Sequence, residues 1–492
     1  MPKSHYFFYI LLISLLTSFF ACNEDFEDYS TNPQNLLAFS TDTLSFDTVL
    51  TTVNSPIQAL KVYNPNSKPL LISSLNLASG TDSGFKINVD GFAGSSFQDI
   101  EIGANDSIYI FVDVKPKENG KFIPSLLNDH IVFITNGVQQ QVVLEAYGQD
   151  IFKWKGVILA SDSVLSNEKP FLIYDSLVIE EGVSIEIQAG TTFYMYNNAQ
   201  LIVKGNLKIH GTVENPVTFR GSRTDNMLDI SYDKIPGQWG GIRFASNSYE
   251  NEFENVSIRN GKFGMDFELS DPSRNKITMK NVMLTNVSGA LIHAVNCDII
   301  AENCEFSNAK NAILHLTGGS CLFTHCTLAN FYPYAPESGW LNSDNETLII
   351  TDAYYSEENT ELQYFPVLKA DFLNTIIWGG KLPASSVYIE ANPQTPIPYF
   401  FRNCLLPNKN TNDAHYTDCL FQTDPLFRDM EFSDTQTDGK KVYATFDFSL
   451  QEQSPARNIA NPDISKNIPY DIKGFYRFTD GQPDLGAYEF NK

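Results

Sequence analysis

The residues best equipped for chemistry crowd into one stretch, NCEFSNAKNAILHLTGGSCLFTHC at 303–326. There Cys304, Cys321 and Cys326 lie close to His315 and His325. Thiolates and imidazoles are the usual ligands of zinc, and specific zinc sites place cysteine pairs two to four residues apart on a tight loop. Here the short gaps run from Cys297 to Cys304 and from Cys321 to Cys326, and neither fits. A repeat in the chain explains the pattern better: Val282, Cys304 and Cys326 are 22 residues apart, and so are His293 and His315. The thiols are then core filler and no metal site is expected. His293 and His315, stacked in neighbouring repeats, are the residual candidates for a ligand or acid–base role. Phe267 of their column points inward while AILHL turns His315 outward, so their facing stays open. The six cysteines after Cys22 allow 15 disulfide pairings, among which the repeat does not choose.

Sugar cleavage requires clustered carboxylates, or a Ca²⁺ site of carboxylates with an Arg or Lys base. Asp266 and Glu268 share one repeat, but Ile292, Ala294, Leu314 and Leu316 follow them in the next two. No acidic column results, and no catalytic residue is assigned. Binding has a better candidate in residues 331–371, which break the repeat and carry Tyr332, Tyr334, Trp340, Tyr354 and Tyr355. Sugar rings stack on aromatic faces, and such residues beside Asp, Asn and Glu are a carbohydrate-binding composition.

These residues must be positioned by a repeating framework. Aligned on one Asn, the chain reads FENVSIRN (253–260), MKNVMLTN (279–286), AENCEFSN (301–308) and FTHCTLAN (323–330). It continues with FLNTIIWG (372–379), FRNCLLPN (401–408) and YTDCLFQT (416–423). Short strands at this interval cannot bury a face in pairs, so they must stack in many copies. The register assigns Val256, Val282, Cys304, Cys326, Thr375, Cys404 and Cys419 to one small buried column. Ile258, Leu284, Phe306, Leu328, Ile377, Leu406 and Phe421 form a second inward column. Asn255, Asn281, Asn303, Asn374 and Asn403 are assigned to a turn. Asn260, Asn286, Asn308, Asn330 and Asn408 mark the next one, where the amide can bond backbone and stacked neighbours. In IPGQWGGIRF (235–244), Trp239 and Ile242 are expected core fillers. The repeat resembles the right-handed parallel β-helix proteins of the pectate-lyase-like superfamily over residues 156–425. That fold hosts lyases, hydrolases, adhesins and stalks, so it does not name an activity.

Upstream, residues 36–150 alternate apolar and polar residues between Asn, Pro, Gly and Asp breaks, as in ALKVYNPNSKPLLISSLNL and DSIYIFVDVKP. Several such strands predict a β-sandwich, and their pattern resembles the immunoglobulin-like domains that separate a bacterial anchor from its cargo. Downstream, TDPLFRD, FSLQEQSPARNIA, YDIKGFYR and PDLGAYEF resemble the C-terminal cap of bacterial surface β-helix proteins. Residues 426–492 are accordingly expected to cover the open end of the stack.

Lys3, the apolar run 6–20 and FFACNEDFEDYS form a secretory signal too short to span a membrane stably. The stretch resembles a bacterial lipobox with Cys22 as the acylated residue, and Glu24 to Asp28 resemble the surface-export tag of Bacteroidota lipoproteins. Asp-Ser/Thr-apolar triplets at 42–44, 47–49, 106–108, 162–164 and 175–177 resemble the O-glycosylation motif of that phylum. A net charge of −24, from 34 Lys and Arg against 58 Asp and Glu, excludes nucleic acid as a partner. It also disfavours a strongly anionic glycan unless a local basic patch intervenes. The expectation is an all-β protein: signal peptide 1–21, acidic tether 22–35, immunoglobulin-like β-sandwich 36–150, right-handed parallel β-helix 151–425 and cap 426–492. It would be lipid-anchored through Cys22 to the outer membrane, face outward, and bind or adhere to glycan without a cofactor. A polysaccharide lyase (with Ca²⁺) or glycoside hydrolase is the main rival, and a structural stalk the third reading.

Overall fold

The computed structural model describes residues 28–227, 230–332, 346–356, 359–379, 386–390, 396–408, 413–432 and 444–491. The chain is all-β and divides into two units, Met1–Asp150 and Ile151–Lys492. Cys22 and the expected signal peptide lie outside the described residues, as do Tyr334 and Trp340.

The first unit holds a five-stranded and a six-stranded sheet. Ser107–Val114 pairs antiparallel with Gln58–Tyr63 and Phe85–Val89 in one sheet. Ser125–Thr135 pairs antiparallel with Val138–Gln149 and Leu70–Leu77 in the other. Alternation turns every second side chain inward. Leu60, Val62, Ile110 and Val112 from one sheet join Leu70, Ile131, Phe133 and Leu144 from the other in one apolar cluster.

The second unit is built on one continuous path of 26 strands, almost wholly parallel. Each strand bonds the equivalent strand of the next pass, so like positions stack. Val256 pairs with Val282, Met283 with Glu305, Phe306 with Leu328, and Leu328 with Ile377. Val282, Cys304, Cys326, Thr375 and Cys404 have no exposed surface, and the six described cysteines are all free thiols. Trp239 and Ile242 are buried as expected, with the Trp239 indole donating to the Arg259 carbonyl at 2.8 Å. Phenylalanines repeat at the strand spacing: Phe171, Phe193 and Phe219 stack at 4.9 and 4.6 Å, and Phe323, Phe372 and Phe401 at 5.3 and 4.9 Å.

The asparagine columns have a backbone cause. Asn255, Asn281, Asn303, His325, Asn374, Asn403 and Asp418 all sit in the left-handed region, with φ between 49° and 60°. Asn enters that region more easily than most residues because its short amide can bond locally. The amides also join successive passes: Asn303 Nδ2 donates to Asn281 Oδ1 at 2.6 Å, and Asn281 Nδ2 to Asn255 Oδ1 at 3.1 Å. Asn260, Asn286 and Asn308 of the second column are left-handed too, whereas Asn330 and Asn408 are not.

Two sequence expectations need correction. Residues 331–371 are not one interruption: Leu348–Thr351 is a strand of the stack, paired with Leu314–Thr317, and only then does the antiparallel pair Ala353–Ser356 and Asn359–Tyr364 leave it. The described part of the C-terminal segment, expected to cover the open end of the stack, packs along its flank. Leu485, Ala487, Tyr488, Phe448 and Leu450 pack on the outward side chains Ala329, Ile376, Trp378 and Leu405. Gly486 allows this approach: its φ is +86°, and a Cβ there would lie 2.7 Å from Thr327 Oγ1. The apolar outward residues of the later passes need such a cover, and this explains the placement better than an end cap does.

Candidate functional site

Of the predicted aromatic platform, Tyr334 and Trp340 lie outside the described residues, and Tyr332, Tyr354 and Tyr355 differ in exposure. Tyr332 is buried, 4% exposed, and burial pushes its phenol up to about 12. Tyr354 is half-buried with its ring 6.1 Å from Phe365, and only Tyr355, 62% exposed, presents its ring to solvent.

The histidine pair does stack. His293 lies opposite His315 in register, with ring centroids 5.2 Å apart. Both side chains point outward while their neighbours Ile292 and Leu314 are buried. The sequence alignment set Asp266 against Ile292, which is one residue out of register: Asp266 pairs with His293, and Arg243 with Asp266. One outward column therefore reads Arg243, Asp266, His293, His315. His293 Nδ1 is 2.8 Å from Asp266 Oδ1, and Arg243 Nε is 3.4 Å from Asp266 Oδ2. Burial works to raise the Asp266 carboxyl, but His293 and Arg243 outweigh it and hold it below its usual range. Among the described residues His315 has no such partner, and burial followed by the nearby His293 lowers it to about 4, so it is neutral at pH 7. Among the described residues, no group of three or more His, Cys, Asp or Glu could hold a metal ion.

A second site was not anticipated. A cavity of about 420 Å³ opens on the flank between the strands Asn275–Val287 and Glu305–Ala309, the short turn Tyr232–Lys234 and the C-terminal segment. Its floor is Met283, Thr285, Glu305 and Ser307. Around it stand Asp233, Lys234, Arg259, Phe446, Asp447, Lys473 and Tyr488. Asp233 Oδ1 is clasped by Arg259 at 2.7 Å and by Arg220 at 3.1 Å, a basic pair in a strongly acidic protein.

Two of the three carboxyls that line this cavity, Glu305 and Asp447, are shifted in opposite directions. Burial pushes Glu305 up, against hydrogen bonds from Tyr488 and Ser307 that pull it back. The Tyr488 hydroxyl bonds Oε2, and Ser307 Oγ lies 2.7 Å from Oε1. Asp447 is also penalised by burial, but the Ser449 hydroxyl and amide together with Lys473, 3.7 Å away, hold it below its usual range. Environments that separate two carboxyls in this way are a known basis for acid–base chemistry. Glu305 sits within the thiol-rich stretch 303–326, next to Cys304. The available signal was an acid in an outward column that otherwise reads Ser257, Met283, Thr327 and Ile376.

No protein-family model matches the sequence, and no curated protein does. Among solved structures, a protein of unknown function from Porphyromonas gingivalis W83 aligns at 13% identity, covering 23% of this chain and 46% of its own, with a TM-score of 0.17. A family 123 glycoside hydrolase from Clostridium perfringens aligns at 12% identity over 23% of this chain and 26% of its own, TM-score 0.17. This chain thus spans less than half the length of either. The catalytic domain of a GH87 α-1,3-glucanase in complex with nigerose aligns at 12% identity over 75% of this chain and 88% of its own, TM-score 0.16. Scores this low carry no argument about fold or activity.

Proposed function

We propose that this chain is a cell-surface lipoprotein of the Bacteroidota type, anchored through Cys22. In this reading an immunoglobulin-like unit carries a right-handed parallel β-helix that binds glycan without cleaving it. The stacking of like positions at a 22-residue interval supports the β-helix. The observation that carries the binding role is the flank cavity. It offers the partly exposed ring of Phe446 beside Asp233, Lys234, Arg259, Asp447 and Lys473. An apolar ring ringed by a few fixed polar groups is the composition of a sugar site, and about 420 Å³ falls in the ligand-pocket range. The earlier candidate, residues 331–371, loses Tyr332 to the interior. A glycan array followed by calorimetry tests the reading. Binding should fall about tenfold or more in Phe446→Ala and Lys473→Ala, since each removes roughly 1.4 kcal/mol or more of contact. Binding that survives both substitutions moves the site elsewhere, and failure to bind any glycan favours the stalk.

The opposed shifts of Glu305 and Asp447 favour a second reading, glycoside hydrolysis, with Glu305 as acid and Asp447 as the ionised partner. Against it, both Glu305 oxygens are already engaged by Tyr488 and Ser307. Release of reducing ends that is abolished by Glu305→Gln would establish the hydrolase.

A further inference from the structure

We propose that His293 and His315 together bind a divalent late transition metal ion, copper(II) most tightly, with Asp266 orienting His293. The site lies on the outward column of the second unit, apart from the flank cavity.

The geometry is set by the strands. His293 and His315 occupy matching positions on neighbouring parallel strands, so their side chains leave the sheet side by side. A metal–imidazole bond of about 2.0–2.1 Å puts two rings that share one ion at centroid separations of roughly 4.5–5 Å, whether they are cis ligands of a tetragonal ion or ligands of a tetrahedral one. The observed separation is 5.2 Å. The rings stand edge to face, at 71°, so they do not stack flat against each other, an arrangement that would aim both lone pairs outward in parallel.

The carboxylate completes the arrangement. Metal-binding histidines commonly donate their second N–H to a carboxylate, which fixes the tautomer and raises ligand basicity. Asp266 Oδ1 lies 2.8 Å from His293 Nδ1, which places the proton on Nδ1 and leaves Nε2 as the electron-pair donor. Arg243 holds the other carboxylate oxygen from the far side, one strand further from the histidines. His293 keeps a third of its side-chain surface exposed, so solvent reaches the ion and fills the positions that two protein nitrogens leave open. Imidazole suits copper, nickel and zinc, and affinity at such sites rises through nickel to copper and falls again at zinc.

The test titrates CuCl₂ and ZnCl₂ into the full chain in a non-coordinating buffer, read by calorimetry, with electron paramagnetic resonance of the copper form. The expected result is one copper equivalent with hyperfine splitting from two nitrogens, and weaker zinc binding. Asp266→Asn should weaken copper by roughly 10–100-fold, the usual effect of losing an outer partner, and His293→Ala or His315→Ala by more. His315→Gln repeats the test with a side chain closer in size, and metal-free melting curves check that each variant folds. His415→Ala removes a histidine whose Nδ1 is also bonded to an aspartate but whose ring packs on Tyr399 and Phe400 and not on a histidine; it should leave copper binding unchanged. Wild-type affinity in His315→Gln, a single-nitrogen spectrum, or loss of binding in His415→Ala overturns the proposal.

Discussion

A left-handed asparagine in this stack is asked for two things at once, a backbone most residues resist and an amide that reaches both neighbours. Asn281 has φ 54°, donates to Asn255 and accepts from Asn303. Alanine would keep neither property. The backbone penalty of about 1–2 kcal/mol adds to about 1–3 kcal/mol for stranding buried amide partners. Asn281→Ala should therefore lower the unfolding free energy by about 2–5 kcal/mol, and Asn281→Gly by roughly 1 kcal/mol less, because glycine accepts the backbone. Urea unfolding of the two variants decides it: equal losses would mean that the backbone contributes nothing. This column was legible in the sequence because a strained position restricts residue type. The Asp266–His293 pairing was not, because the turn leading into the His293 strand, from Thr285 to Ile292, is one residue longer than the matching turn of the preceding pass, from Arg259 to Met265. Strand register follows hydrogen bonding and turns absorb the difference, so counting along the chain slips where a turn lengthens.

At the scale of the element, the C-terminal segment behaves as a clamp with buried charge. Arg477 is fully buried and donates to Glu489 at 2.7 Å and to Asn303 Oδ1 at 2.5 Å, tying the segment to the asparagine column. Burial pushes Glu489 up to about 8 against the pull of Arg477, and pushes Asp471 and Asp484 up as well. One guanidinium thus faces three carboxyls, and the folded clamp retains protons that the unfolded chain gives up. With more protons bound in the native state, stability falls as pH rises. For Glu489 the window opens near its ordinary value of 4.5 and closes near 8. The melting temperature should drop between pH 6.5 and pH 8, above the range in which unfolding protonates the buried His315 and His325, and Glu489→Gln should flatten that slope, its loss relative to wild type being smaller at pH 8 than at pH 6.5. An unchanged slope in the variant would place the proton on another group. The phrases of this segment were recognisable in sequence, yet their position was not. Nothing in a linear pattern says that Ala329, Ile376, Trp378 and Leu405 face outward and need cover until the register of all the passes is known.

At the scale of the whole molecule, the two units carry separate apolar cores, and each can be considered on its own terms. All 22 buried members of the first core fall between Leu37 and Ala146. Its strands also find every main partner within the unit, the parallel pair Thr43–Leu50 with Val138–Gln149 included. A unit with its own core and complete sheets meets the physical condition for folding alone. The second unit differs in kind, because stability in a stack accumulates from contacts between neighbouring passes and is not concentrated in one centre. Residues 28–150 expressed alone should therefore unfold in one cooperative urea transition, with the same midpoint that this unit shows in the full chain. The midpoint in the full chain can be read from the hydrogen exchange of amides in Ser125–Thr135, which lie in the centre of their sheet. The second unit should instead respond to damage locally, so that Asn281→Ala accelerates exchange in the adjoining strands and leaves Ser125–Thr135 unaffected. Exchange that rises equally in both units would mean that the chain unfolds as one body, and a fragment 28–150 without a cooperative transition would mean that its core alone does not suffice.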